Sequence, residues 1–99
     1  MAKYTVTYQD AGKDDMTMEL VRKHIYHLWE LHNKGVLFLC GLVKDDNKAL
    51  LIFEANSYAE AERYVQIDPL IVHAYYTYTI HELIEANPSN NFLFEDSQA

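Results

Sequence analysis

The centre of the chain reads VLFLCGLVKDDNKALLIFEA, residues 36–55. Two apolar runs, 36–43 and 49–55, flank a polar turn that contains Asp45, Asp46 and Asn47. Apolar runs of this length on either side of a short polar turn are typical of a β-hairpin. We therefore predict two antiparallel strands here, and the segments on either side of them decide the fold.

A strand and a helix precede this hairpin. Residues 3–8 alternate polar and apolar side chains, which predicts a first strand that ends within residues 10–13. From residue 15 to 34 the spacing becomes helical, with Asp14 or Asp15 expected as the N-cap and Gly35 as the end of the helix. The predicted apolar side of the helix consists of Val21, Ile25, Leu28, Leu31 and His32.

A second helix and a last strand follow the hairpin. Ser57 is placed to cap a helix that stops near Asp68, because Pro69 disfavours helical angles at the residue before it. A short helical turn over 70–73 and a strand over 75–83, rich in Tyr, Thr and Ile, complete the domain. The order of elements predicts an α+β domain of ferredoxin-like βαββαβ topology with an antiparallel sheet.

The size of the chain favours a homodimer. Its 99 residues build one core and bury only about 60–70 % of the surface that the unfolded chain exposes. Both helices cover one face of the sheet, so the other face needs a partner surface, for which a second sheet is the simplest choice. We expect one domain over 1–87 and a tail over 88–99, partly flexible or docked on the dimer through the apolar residues 92–94.

Composition narrows the partners and the compartment. A net charge of −7 with only 8 Lys and Arg argues against nucleic acid and anionic membranes as partners. Cys40 is the sole cysteine and lies in an apolar run, so we expect a small buried side chain in a reducing compartment. The start of the chain has no signal-peptide pattern, and no apolar run reaches 18 residues, which predicts a cytoplasmic protein.

Two titratable side chains stand out. His24 shares the apolar sector of the first helix, and Asp68 ends the second helix. From the residues alone, a histidine bonded to a strand carbonyl and an aspartate that accepts local N–H groups are simpler interpretations. If the two helix segments meet, however, the carboxylate would fix the tautomer of the imidazole and create a general acid or base.

Other motifs carry less chemistry. His24, His27 and His32 invite a metal site, but they lack acidic or thiol ligands at suitable spacing, and we predict no metal. The sequence HELIE at 81–85 lacks the second histidine of a zinc-protease motif and lies on a predicted strand. The chain shows no phosphate-binding glycine loop or dinucleotide fingerprint, and we predict no cofactor.

The tyrosines of the last strand have two interpretations. Tyr75, Tyr76 and Tyr78 are expected chiefly to pack within the sheet and at the interface. The alternative is a cavity in which one of them stacks on a flat or phenolic ligand.

Three parts of the sequence together resemble the pattern of the YCII-related family over residues 3–83. They are the segment HIYHLWELHNKG at 24–35, the strand over 36–41 and Asp-Pro-Leu at 68–70. The resemblance implies a dimeric α/β barrel and assigns His24 and Asp68 to the active-site pair of that family. Its related dehydrochlorinases and muconolactone-isomerase-like barrels imply proton transfer on small cyclic molecules.

The chain departs from the family pattern at three places. Val21 stands where many members have Arg, with Arg22 one place away, and Leu42 and Ala74 replace a proline and a glycine. A helper cation is therefore not expected at residue 21, and the substrate of a relative does not transfer to this chain.

The leading functional hypothesis is a lyase or isomerase that acts on a cyclic or aromatic small molecule. His24 would move a proton, Asp68 would orient the imidazole, Gly41 would leave room for the substrate, and Tyr8 and Tyr76 would wall the pocket. Two alternatives stay open: a non-catalytic ligand-binding or regulatory dimer with the same pocket, and a cofactor-independent monooxygenase-like barrel.

Overall fold

The strand and helix patterns produce seven regular elements and a final 3₁₀ segment in the computed structural model, which describes residues 1–95. In chain order they are β1 (Ala2–Asp10), α1 (Met18–Asn33), β2 (Leu37–Val43), β3 (Lys48–Ala55), α2 (Tyr58–Gln66), α3 (Pro69–Val72), β4 (Tyr76–Leu83) and the 3₁₀ segment Pro88–Leu93. The four strands form one sheet in the order β2-β3-β1-β4, with every neighbouring pair antiparallel. This is the ferredoxin-like βαββαβ topology, so the predicted fold class is confirmed.

The first helix begins later than its sequence suggests. Thr17 is the N-cap of α1, and its hydroxyl accepts a hydrogen bond from the N–H of Leu20 at 3.2 Å. The prediction of Asp14 or Asp15 as the cap is wrong, because Asp15 has a left-handed φ of 71° and belongs to the loop. Ser57 caps α2 as predicted, accepting from the N–H of Glu60 at 3.1 Å.

The core lies between one face of the sheet and the helices. Alternate residues of β1 and β3 point into it and pack against buried side chains of α1 and α2. The fully buried members include Val6, Phe53, Ala55, Ala61 and Val65. Since β1 lies between β3 and β4, its residues are paired on both sides.

The buried side of α1 differs from the predicted one. Leu31 is buried as expected, but Ile25 and His32 are exposed, whereas His27 is buried. The helix packs on α3 and on the edge strand β2, so only a narrow stripe of its surface is covered. His27 lies on that stripe, and its Nε2–H donates to the carbonyl of Tyr64 at 2.8 Å.

The opposite face of the sheet has no helix over it. Leu50 and Ile52 alternate with the buried residues of β3 and point to this face, which also receives Leu39 and Val43 of β2 by strand register. Leu39 is 53 % exposed and Val43 is 40 % exposed. These four residues, with the β-branched side chains of β1, form what we call the open sheet face.

Cys40 is exposed, so the prediction of a buried thiol is wrong. It pairs with Leu51 and therefore points toward the helix side of the sheet. Its strand is the outer one, however, and α1 leaves an open cleft above it rather than a packed layer. An apolar run on an edge strand does not guarantee burial.

The apolar side chains of the last described residues are more than half exposed or close to it. Phe92 and Phe94 are each 63 % exposed, and Leu93 is 50 % exposed. Docking of this segment on its own subunit or across the dimer stays a prediction. Residues 96–99 of the predicted tail lie outside the described part.

Within residues 1–95, no helix combines the length and the apolar character that a membrane span requires.

Candidate functional site

Three elements bring three polar side chains together on the helix side of the sheet. His24 comes from α1, Asp68 from the junction of α2 and α3, and Tyr8 from β1. The Nδ1 of His24 lies 2.8 Å from Oδ2 and 2.9 Å from Oδ1 of Asp68. The hydroxyl of Tyr8 donates to the same Oδ2 at 2.8 Å. The structure thus joins the two residues singled out for catalysis and adds a third.

Local backbone chemistry holds Asp68 in place. It is the N-cap of α3, with Pro69 at the first helical position, and its Oδ1 accepts from the N–H of Leu70 at 2.9 Å. Its carbonyl accepts from the N–H groups of Ile71 and Val72, each at 2.9 Å. The Asp-Pro pair that ends α2 therefore also begins α3, and the carboxylate is fixed at a fully buried position.

The electrostatics of the site favour an ionised carboxylate. Burial, the largest single influence, pushes the pKa of Asp68 upward, but the hydrogen bond and the positive charge of a protonated His24, with the hydrogen bonds from Leu70 and Tyr8, hold it below its ordinary value. Burial also raises the pKa of the Tyr8 phenol far above its ordinary value, and the nearby charge of Asp68 adds to this rise. At neutral pH the site therefore contains a carboxylate and a protonated phenol.

This ionisation state decides the tautomer of His24. An ionised carboxylate only accepts hydrogen bonds, so the Nδ1 that faces it carries a proton. The Nε2 of the neutral ring then carries the lone pair. Nε2 makes no hydrogen bond to any residue in 1–95. Every buried side-chain nitrogen or oxygen in this part of the chain has a hydrogen-bond partner. Nε2 is therefore not buried and reaches solvent.

An apolar cleft of about 230 Å³, which His24 helps to line, lies between α1 and the β2–β3 hairpin. Apart from His24, the phenol of Tyr8 and the thiol of Cys40, its lining side chains are aliphatic. The cleft is smaller than the usual range for drug-sized ligands, and its size suits a molecule with one ring. It is lined by Tyr8, His24, Ile25, Leu28, Cys40, Gly41, Leu42, Ala49, Leu50 and Leu51.

The predicted substrate-contact residues separate into two groups. Tyr8 and Gly41 line the cleft, whereas Tyr76 lines a neighbouring cavity that shares Leu42 and Ala49 with it. The ring of Tyr76 lies 6.0 Å from that of Tyr8 and does not line the cleft beside His24. A Cβ built at Gly41 would meet no heavy atom within 4 Å, so contacts within the protomer do not require glycine there.

Two other tyrosines of the predicted cavity serve the fold. Tyr75 is buried, and its hydroxyl donates to the carbonyl of Asp15 at 3.0 Å. The hydroxyl of Tyr78 donates to Glu62 at 3.0 Å and ties β4 to α2. Neither residue lines the cleft beside His24.

The histidines of α1 do not converge. His27 faces α2, and His32 packs its ring edge against Trp29 at 5.8 Å between ring centroids. In the part of the chain that the structure describes, no group of three or more His, Cys, Asp or Glu side chains is arranged to hold a metal ion.

Sequence reasoning missed the hydrogen bond between Tyr8 and Asp68. A usable signal was present: alternation in β1 places Tyr8 on the same face as Tyr4 and Val6, which is the core face. A buried tyrosine hydroxyl needs a hydrogen-bond partner, so its burial predicted a polar group nearby. No sequence pattern identified that group as Asp68.

The fold and this site define a ferredoxin-like α+β protein with a buried carboxylate hydrogen-bonded to one imidazole. No family model and no curated protein matches the chain. Among solved structures, it is similar to muconolactone isomerase, with a TM-score of 0.73 and 15 % identity over 95 % of this chain and 97 % of that one.

A second solved structure is similar over slightly less of the chain. It is 5-chloro-2-hydroxyhydroquinone dehydrochlorinase from Burkholderia phenoliruptrix AC1100, in complex with 2,5-dihydroxybenzoquinone. The TM-score is 0.55 and the identity 20 %, over 83 % of this chain and 94 % of that one. At these identities the likeness concerns the fold, which these two enzymes use for lyase and isomerase chemistry.

Proposed function

We propose that this protein is a lyase or isomerase that transfers a proton on a small cyclic or aromatic molecule, with His24 as the catalytic base and acid. One observation carries the proposal: the Nδ1 of His24 faces an ionised carboxylate while the same imidazole lines an apolar cleft, so Nε2 is the ring nitrogen left to meet a ligand there. An imidazole oriented in this way can act as a general base and acid.

The chemistry begins when Nε2 removes a proton from a carbon or hydroxyl of the bound ring. In an elimination, the electron pair of the broken C–H or O–H bond forms a π bond, and a halide leaves with the electron pair of its own bond. In an isomerisation, the imidazolium returns the same proton to another carbon. The carboxylate of Asp68 stabilises the transient imidazolium in both cases, without itself taking the proton.

The surroundings of His24 support this role. Its side chain is 16 % exposed, so the imidazole is partly desolvated yet reachable from the cleft. The aliphatic lining makes the surroundings of the ring less polar, which strengthens the interaction between imidazolium and carboxylate. The two enzymes of similar fold act on small cyclic compounds, which supports the choice of substrate class.

The proposal includes membership of the YCII-related family, supported by the order of motifs over residues 3–83. It also includes a homodimer whose subunits meet through the open sheet face, and a cytoplasmic location. The apolar side chains of Leu39 and Ile52 on that face support the dimer, because exposed apolar surface is costly in water.

The experiment is a turnover assay on halogenated hydroquinones and unsaturated lactones, followed by halide release and ultraviolet absorbance. We expect His24→Ala to lower kcat/KM by about 10² to 10⁴. His32→Ala, an exposed histidine on the same helix, is the matched control and should retain activity. Saturable binding without turnover would favour a ligand-binding dimer, and oxygen consumption would favour a monooxygenase; either result would contradict the proposal.

A further inference from the structure

The carboxylate of Asp68 has three hydrogen-bond donors, and each plays a different part. His24 approaches both oxygens, the N–H of Leu70 bonds Oδ1 at 2.9 Å, and the hydroxyl of Tyr8 bonds Oδ2 at 2.8 Å. Two donors other than the imidazole therefore hold the two ends of the carboxylate. One of them belongs to the same short helix as Asp68, and the other belongs to the sheet.

We propose that Tyr8 is a positioning residue of this site: its hydroxyl locks the plane of the Asp68 carboxylate, so that His24 adopts the Nδ1–H tautomer with Nε2 toward the cleft. The catalytic meaning of this inference rests on the proposed function. The tautomer itself is a property of the folded protein and can be measured without a substrate.

The location of Tyr8 makes it suited to this task. It lies on the central strand β1, paired with Ala49 on one side and Tyr78 on the other, and its side chain is 2 % exposed. Its ring packs beside those of His24 and Tyr76, at 6.5 and 6.0 Å between centroids. The phenol has little freedom to rotate away, so the sheet determines where its hydroxyl points.

Without this hydroxyl, the N–H of Leu70 would be the one donor to the carboxylate besides the imidazole. A single anchor at Oδ1 leaves rotation about the Cβ–Cγ bond free to move Oδ2, and a buried oxygen would lose a donor. His24 would then have a less well placed acceptor, and the energy difference between its two tautomers would shrink. The outward lone pair that the proposed chemistry needs would be present in fewer molecules.

The second effect of Tyr8 is electrostatic. The titratable groups that face its hydroxyl are Asp68 at the α2–α3 junction, His24 on α1 and Tyr78 on β4. Because the hydroxyl donates to Oδ2, it favours the charged carboxylate and contributes to the lowered pKa of Asp68. Its removal should therefore move the acid limb of any pH–rate profile toward higher pH.

The test compares the ring nitrogens of His24 by ¹⁵N NMR in the wild type, Tyr8→Phe and Tyr4→Phe. The Tyr4 variant is the matched control, because Tyr4 is buried on the same face of β1 and its hydroxyl makes no hydrogen bond to residues 1–95. We expect the ratio of the Nδ1–H to the Nε2–H tautomer to fall roughly tenfold in Tyr8→Phe. The ratio should be unchanged in Tyr4→Phe.

An unchanged tautomer ratio in a folded Tyr8→Phe protein would overturn the inference. If that variant does not fold, 3-fluorotyrosine at position 8 keeps the shape and the hydroxyl while making it a stronger donor. We then expect the Nδ1 proton of His24 to resonate upfield of its position in the unfluorinated protein, because the carboxylate gives up charge to the phenol. An unchanged resonance would again overturn the inference.

The two proposals fail separately. Absence of turnover on the ring compounds would remove the proposed function and leave the tautomer result standing. If turnover depends on His24 but the tautomer ratio is the same in Tyr8→Phe as in the wild type, only the proposed role of Tyr8 is refuted.

Discussion

The Nδ1 of His24 and the Oδ2 of Asp68 lie 2.8 Å apart although 44 positions separate the residues in the sequence. Both belong to the helical layer, and the phenol of Tyr8 links the sheet to the same carboxylate. The contact is therefore determined by how α1 and α3 pack on each other over the core. A change in that packing would change the geometry of the contact.

The first prediction concerns the contribution of Asp68 to stability. Asp68→Asn should lower the free energy of unfolding by about 2–4 kcal/mol at pH 7, because a buried charged acceptor is lost from its three donors. The folded-state pKa of Asp68 is depressed, so its contribution is present above the ordinary value of 3.8 and disappears as pH falls through the lower folded value.

Urea unfolding of both proteins between pH 7 and pH 2.5 measures this effect. The difference in free energy between wild type and variant should stay constant down to about pH 4 and then shrink. Asp46→Asn, a change on the exposed hairpin turn, provides the control and should show no such narrowing. If the difference in free energy of unfolding between wild type and Asp68→Asn did not depend on pH, the ionised form of Asp68 would not be the stabilising one.

The second prediction assigns His27 to the fold. His27→Ala should cost about 2–3 kcal/mol, since it removes a buried ring and leaves the carbonyl of Tyr64 without its donor. His32→Ala, on the exposed side of the same helix, should change stability by less than about 0.5 kcal/mol. Thermal unfolding of the two variants distinguishes them, and equal effects would show that His27 has no such role.

The third prediction addresses the open sheet face. If two copies meet there, sedimentation velocity should find the wild type as a dimer or a larger assembly, and Ile52→Lys should shift it to monomers. The lysine would place a charge in the middle of an apolar interface. Ile67→Lys is the matched control, because Ile67 is 62 % exposed at the end of α2. A monomeric wild type, or a variant that still dimerises, would refute this interface.

The fourth prediction concerns the C-terminal segment. Removal of residues 88–99 should reduce the stability of the dimer, because Phe92 and Phe94 are mostly exposed on their own protomer and are expected to contact the other copy. The midpoint of unfolding should then depend more strongly on protein concentration than in the intact chain. Unchanged stability and unchanged oligomer size after truncation would argue against docking.

Local patterns in the sequence determine most of this fold. Four of these patterns act within a few residues, and each produces the expected element. They are the alternation in β1, the polar turn of the central hairpin, the capping serine at 57 and the Asp-Pro pair at 68–69. The start of α1 was mistaken because Asp14, Asp15 and Thr17 all favour N-caps, and only the backbone geometry selects the threonine.

The site was less accessible to such reasoning. Helical spacing identified His24, but burial of His27 and exposure of Ile25 depend on which stripe of α1 meets α3 and the edge of the sheet. Cys40 has the neighbours of a core residue and is exposed only because its strand is the outermost one. The bond from Tyr8 to Asp68 spans two layers of the fold, and no local pattern encodes that distance.

Asp68 caps α3 and at the same time holds the imidazole, so one side chain serves both the architecture and the proposed reaction. Any mutation at position 68 will confound a folding defect with a chemical one. An inactive form intended for ligand trapping or crystallography is therefore better made at His24, whose loss leaves the helix cap intact.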